Sequence, residues 1–392
     1  MKLQFGQHEP GADGPAAEAA AADASLDSAT LALPAEPING GGRALVERAV
    51  LVTADADVPT ALRSVPAAGG GTAAVYRATY AANDPNEDRH TVVIGEGFLF
   101  AGVWDGHGGC ECSDYTERHV YQHFKAAMQK GLPCEAAFAH AYRATDIHYL
   151  QQAKEKVESS TSGGRPTDLF AGSCAVSVFV DLEARKICVG NLGDCRVVLG
   201  VSQGGSLRTV QLSDDHSADL ENERLRVMEE HPGDREALIN CGGDYGEPDD
   251  WRVKGVCAFT RSLGDFQMKE KTAATLYNTY TQGYKVRPVP GVNGAGHAAT
   301  RPYIINEPTY VEHDVPGDCV LIVACDGVWD EMSSEEAVEV VHEVSAAAGS
   351  YGGHLSEIAD ACGRSLRNTP ASPTRRSPCC SSRRCSSALS SG

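Results

Sequence analysis

Phe98-Leu-Phe-Ala-Gly-Val-Trp104 is an apolar run broken only by Gly102, and it halts at Asp105-Gly-His-Gly-Gly109. Such a run predicts a buried strand. The three glycines among the next five residues permit positive φ and let the backbone approach a ligand closely. What remains at the strand's mouth is one carboxylate, Asp105, and one imidazole, His107. A carboxylate there can hold a hard cation, with the bare Gly106 carbonyl as a second oxygen. An Asp-Gly hairpin turn with an incidental histidine fits the same residues, so the rest of the chain has to decide.

A second strand of this kind lies far downstream. Asp318–Cys325 is strongly apolar and ends at Asp326-Gly-Val-Trp-Asp330. If the two strands lie side by side, Asp105 and Asp326 converge. Uncompensated carboxylates in one cleft repel unless a cation sits among them. Oxygen-only ligands favour Mg²⁺ or Mn²⁺ over zinc. Two such ions, about 3.5–4 Å apart, can acidify a bridging water and clamp a phosphoryl oxygen.

The intervening chain reads as clustered strands and helices. Thr91–Ile94, Ser173–Val180, Lys186–Gly190, Arg196–Leu199 and Val253–Phe259 are expected strands. Tyr115–Lys130 and Glu135–Lys154 carry apolar residues at helical spacing, and Glu221–Glu230 is a short charged helix. Ser333 with Glu336 three positions on forms a capping box for a helix through Val344, and a further helix is expected over Gly353–Leu366. Asp194 falls in a turn between two strands, where it fits a plain hairpin nearly as well as a ligand. Clustering without strict alternation predicts an α+β sandwich rather than a doubly wound parallel sheet.

Composition narrows the partners. A net charge of −19 over 392 residues argues against nucleic acid or an anionic membrane surface. No apolar run is long enough to span a membrane. The start resembles neither a secretory signal nor a transit peptide, and Lys2 stands where myristoylation needs glycine. Several of the 14 cysteines sit in apolar strand-like runs and Cys110-Glu-Cys112 lacks zinc-knuckle spacing, so a reducing, cytoplasmic or nuclear compartment is expected.

Seven motifs then stand in one order: Asn86-Glu-Asp-Arg89, Val103-Trp-Asp-Gly-His-Gly-Gly109, Gly172-Ser-Cys-Ala-Val176, Gly190-Asn-Leu-Gly-Asp-Cys-Arg196, Leu212-Ser-Asp-Asp-His216, Thr260-Arg-Ser-Leu-Gly-Asp265 and Ala324-Cys-Asp-Gly-Val-Trp-Asp330. In these the chain resembles the metal-dependent serine/threonine phosphatases of the protein phosphatase 2C family, nearest in style to the pyruvate dehydrogenase phosphatase-like and plant branches. The resemblance implies two stacked antiparallel β-sheets flanked by α-helices, with metals in the channel at the sheets' ends. It divides the chain into an N-terminal extension (1–74, mostly disordered), a catalytic domain (75–366, with an insertion near 270–300) and a low-complexity tail (367–392).

The family roles carry over as follows. Asp105 would bridge two Mn²⁺ or Mg²⁺ ions, Gly106 would bind one through its carbonyl, and Asp326 would bind the other. Asp194 and Asp330 would hold a weaker third ion. Glu87 would orient water, with Asp88 beside it, and His107 would protonate the leaving serine or threonine oxygen. The implied substrates are phosphoproteins, hydrolysed by metal-activated water, and a monomer is expected. Arg261 and Asp265 read as structural residues.

Two departures qualify the likeness. Asn83 stands where many members place a phosphate-gripping arginine, and asparagine offers no bidentate charged pair. No Asp follows Asp360, although the family closes its second metal's shell with a late aspartate followed by a buried strand. That absence implies a missing C-terminal strand and an incomplete metal site. It leaves open a pseudophosphatase that keeps the fold and binds partners, or a sequence cut short; a hydrolase of small phosphorylated metabolites is a third reading.

Overall fold

The computed structural model describes residues 49–66, 72–79, 85–159, 167–242, 250–269 and 301–347. Two sheets are built from β1 (Ala49–Pro66), β2 (Thr72–Thr79), β3 (Arg89–Gly95), β4 (Phe98–His107), β5 (Gly172–Asp181), β6 (Lys186–Leu192), β7 (Arg196–Gln203), β8 (Ser206–Gln211), β12 (Thr309–Asp314) and β13 (Asp318–Ala324). One sheet runs β2-β1-β13-β7-β8 and the other β12-β6-β5-β4-β3. Pairing is antiparallel except between β1 and β13. A small hairpin pairs β9 (Leu238–Asn240) with β10 (Trp251–Val253), and the two-residue β11 (Leu263–Gly264) pairs with β5.

The period-two pattern of the strands sorts their side chains into layers. On β4, Leu99, Ala101 and Val103 join the core between the sheets, with Val176 and Val178 of β5, Val197 and Leu199 of β7, and Leu321 and Val323 of β13. The alternate residues Phe100 and Trp104 face outward against α1 (Glu111–Gln129) and α2 (Cys134–Ser159), packing on Val120, Phe124, Phe138 and Tyr142. Val198, Val320 and Ile322 cover the other outer face and meet Val338 and Val341 of the helix Ser334–Ala347. The architecture is therefore an α-β-β-α sandwich, as expected. Burying a Leu, Val or Phe side chain in these layers contributes roughly 1.5–3 kcal/mol each.

Sequence and structure differ in places. The sheet begins earlier along the chain than the expected boundary at Val75, because β1 supplies the parallel neighbour of β13. Val253–Phe259 is no continuous strand: Lys254 takes a positive φ of 54° and a turn bonds Cys257 back to Val253. Asp326 opens a single helical turn, Asp326–Trp329, where strand termination alone was expected. The capping box forms as read, with Glu336 accepting from the Ser333 N–H and Ser333 Oγ accepting from the Glu336 N–H. The 270–300 insertion, the helix expected at Gly353–Leu366, the tail and the missing last strand lie outside the described residues. No described helix is long and apolar enough to cross a membrane.

Candidate active site

Strand register brings the acids together. On β4 the inter-sheet parity of Leu99, Ala101 and Val103 continues to Asp105 at the end of the cleft. Arg89 pairs with Trp104, so the preceding Asp88 falls beside Asp105. Across the cleft Ala324 pairs with Arg196, which sets Asp326, two residues past the strand, near Asp194, two residues before its partner. Gly193 turns with φ 113° against Cys174, the strand partner of Asp105, where any Cβ would collide. That close approach needs glycine.

One carboxylate oxygen each from Asp105 and Asp326 and the Cys325 thiol lie within 4.8 Å of one another. Cys325 Sγ donates to Asp88 Oδ2 at 3.6 Å. Burial, and then the charge of Asp326, raise the Asp88 carboxyl to about 7. Asp194 is pushed to about 7 by the same two causes in the same order. Asp105 is raised well above the usual carboxylate range by burial and by Asp326, Asp88 and Asp194 in turn. The largest charge effects on these groups come from other carboxylates. A set of oxygen donors held together against their own repulsion fits hard divalent cations.

Around this cluster sit the remaining predicted residues. The backbone of Glu87 packs on Gly106, whose missing Cβ leaves room for the Glu87 carbonyl and Ser113 Oγ. Ser113 Oγ donates to that carbonyl. Burial raises the Glu87 carboxyl, against the opposing influence of His107 and the Gly109 N–H. His107 lies with Nε2 2.9 Å from Asp265 Oδ2. Burial disfavours its positive charge, but Asp265, Asp194 and Glu87 outweigh that and raise its pKa. Asp330 caps the helical turn after Asp326, its N–H bonded to the Asp326 carbonyl at 2.8 Å, and its charge acts on Arg196. Asn83 lies outside the described residues.

Three participants were missed or misplaced from sequence. Cys325 reads as a core hydrophobe yet its thiol meets Asp88. Ser113 carries no signal of its own. Asp265, read as structural, touches the imidazole; its position closing the Thr260-Arg-Ser-Leu-Gly-Asp265 motif was the available clue.

Known proteins resemble this chain in sequence and in fold. A family model described as Protein phosphatase 2C matches residues 96–368. "Probable protein phosphatase 2C 42" of Arabidopsis thaliana is 30% identical over 269 residues, 68% of this chain and 64% of the relative. "Probable protein phosphatase 2C 79" of the same plant is 33% identical over 248 residues, 62% of this chain and 58% of the relative. The chain thus spans under two thirds of these relatives' length. A structure titled as that of a C. elegans sex determining protein shares the fold at a TM-score of 0.50 and 21% identity, covering 72% of this chain and 58% of that one. By its motifs, its sandwich of sheets and the matching family model, this chain belongs to the protein phosphatase 2C family.

Proposed function

We propose that the chain is a Mg²⁺- or Mn²⁺-dependent protein phosphatase that hydrolyses phosphoserine and phosphothreonine. The observation that carries this reading is the convergence of Asp88, Asp105, Asp194 and Asp326 at one mouth of the sandwich, with His107 beside them. Asp105 and Asp326, with the Gly106 carbonyl, would hold two ions, and Asp194 and Asp330 a weaker third. Such ions acidify water and offset phosphoryl charge when bound.

The chain's own groups supply the rest. Although burial opposes the charge of His107, Asp265, Asp194 and Glu87 raise its pKa, which favours the protonated ring that a departing hydroxyl oxygen needs. Glu87, steadied by the Gly109 N–H, can accept a hydrogen bond from water at the site's edge. Asn83 would contribute a neutral hydrogen bond to the phosphate where an arginine would give two charged ones. The strongly acidic chain favours basic segments in the phosphoprotein. Cysteine usage favours action in the cytoplasm or nucleus, and a monomer is proposed.

The test is release of phosphate from a phosphoserine peptide with Mn²⁺, comparing the wild type with Asp105→Ala and Asp326→Ala. Each variant should lose about a hundredfold or more in turnover, the scale of several kcal/mol of lost charge stabilisation. Unchanged turnover in both would end this assignment of roles.

A further inference from the structure

His107 closes β4 in register with Gly172 of β5. On the far side of that strand, Gly264 of β11 pairs with the same Gly172. The next residue, Asp265, therefore reaches the imidazole across a strand position that carries no side chain. A Cβ on Gly172 would strike both His107 Nε2 and the Asp265 carboxylate. Phe259 lies against the ring, with centroids 4.5 Å apart.

Asp265 is held there against resistance. Its φ is 51°, a left-handed conformation uncommon outside glycine. It is 1% exposed, and its Oδ1 has no hydrogen-bond partner among the described residues. An unsatisfied buried carboxylate oxygen is destabilising, so stability alone gives no reason for it. The surroundings nevertheless lock it in place. Ser262 Oγ donates to Oδ2 at 2.5 Å, and the Asp265 N–H donates to the Ala171 carbonyl at 3.0 Å. The Gly264 N–H donates to buried Asp146 at 2.7 Å, which also takes Lys269 and Asn306. Strain that the neighbours over-determine marks a functional position.

We propose that Asp265 is the positioning residue for His107. Its carboxylate accepts a hydrogen bond from the Nε2–H and fixes the ring's orientation and tautomer. Nδ1, which has no hydrogen bond among the described residues, is then the nitrogen that serves the leaving group. Water forms the new bond to phosphorus as the old P–O bond breaks. The electron pair of that broken bond goes to the serine or threonine oxygen, which takes the Nδ1 proton. The imidazole ends neutral, with its Nε2–H still on Asp265. This inference rests on the phosphatase reading above.

Asp265→Asn is the suitable variant, because asparagine keeps the shape and tolerates a left-handed φ. Two substrates separate positioning from general damage: a phosphoserine peptide, whose alkoxide needs a proton, and p-nitrophenyl phosphate, whose phenolate does not. With Mn²⁺, kcat on the peptide should fall about tenfold to a hundredfold, part of what a general acid supplies. Turnover of p-nitrophenyl phosphate should stay within about threefold, and KM for both should hold. His107→Asn should show the same selectivity, and the double variant should be no worse than the poorer single one. Equal losses on both substrates, or no loss on the peptide, would overturn the proposal. An imidazole ¹⁵N spectrum of the metal-free protein reads the pair without turnover. At a pH high enough to leave the ring neutral, His107 should be the Nε2–H tautomer and should change in Asp265→Asn; an unchanged signal would also overturn the proposal. A wild type that turns over neither substrate while keeping that signature would instead refute the phosphatase reading.

Discussion

Replacing Asp88 by asparagine removes one charge from the cluster and keeps its shape. Burial, and after it the charge of Asp326, carry the Asp88 carboxyl from 3.8 to about 7. Between those values the folded chain holds a proton that the unfolded chain has released, so stability falls as pH rises through the interval. Roughly three units at about 1.4 kcal/mol each bound the effect at about 4 kcal/mol by pH 7. Asp105 and Asp194 share the titration, which brings the figure for one residue nearer about 2 kcal/mol. In chelator, Asp88→Asn should therefore be more stable than the wild type at pH 8 by about 2–4 kcal/mol. For 2 kcal/mol that corresponds to about 4–8 °C in Tm for a domain of this scale. The gap should shrink steadily below pH 7 and vanish near pH 4. Denaturant unfolding at matched pH values reads it directly, and comparison with the wild type cancels the titration of buried histidines elsewhere. Saturating Mn²⁺ should reverse the order, because cations offset the repulsion that asparagine removes. A variant no more stable than the wild type at pH 8 without metal, or a gap indifferent to pH, would contradict this burial of Asp88 among like charges.

Other outcomes follow from the same structure. Gly106→Ala would drive a Cβ into the Glu87 carbonyl and Ser113 Oγ; weaker Mn²⁺ binding by calorimetry and a lower Tm are expected, and a variant matching the wild type in both would contradict this packing. Glu223 accepts from Arg261 at 2.6 Å and Arg226 at 3.0 Å, and although burial opposes its charge these partners and Thr260 hold its pKa at about 2. Glu223→Gln leaves Arg261 without a carboxylate and Arg226 with Glu230 alone, and should cost about 3–5 kcal/mol at pH 7 by denaturant unfolding. Because the folded pKa is depressed, that difference should persist above pH 4.5 and close as pH falls toward 2.

The layers were legible because period-two runs such as Leu99, Ala101 and Val103 against Phe100 and Trp104 carry their own sidedness. The two Asp-Gly strand ends likewise announced the acids, and register did the rest. What escaped reading depends on long-range pairing. Nothing local in Ala49–Pro66 shows that it lies parallel to β13. The Asp265–His107 contact spans 158 residues and exists because Gly172 leaves a gap between them. Val253–Phe259 has strand-like composition, yet the left-handed Lys254, bonded to Asp234 at 2.6 Å, turns the chain instead.

We propose that Asp105 and Asp326 share divalent metal at the sandwich's mouth. Calorimetric titration of Mn²⁺ into the wild type, Asp105→Asn and Asp326→Asn tests it most directly. Binding by the wild type and at least about tenfold weaker binding by each variant are expected, since each loses a charged oxygen ligand. Equal affinity in all three proteins, or no binding by the wild type at millimolar Mn²⁺, would contradict it.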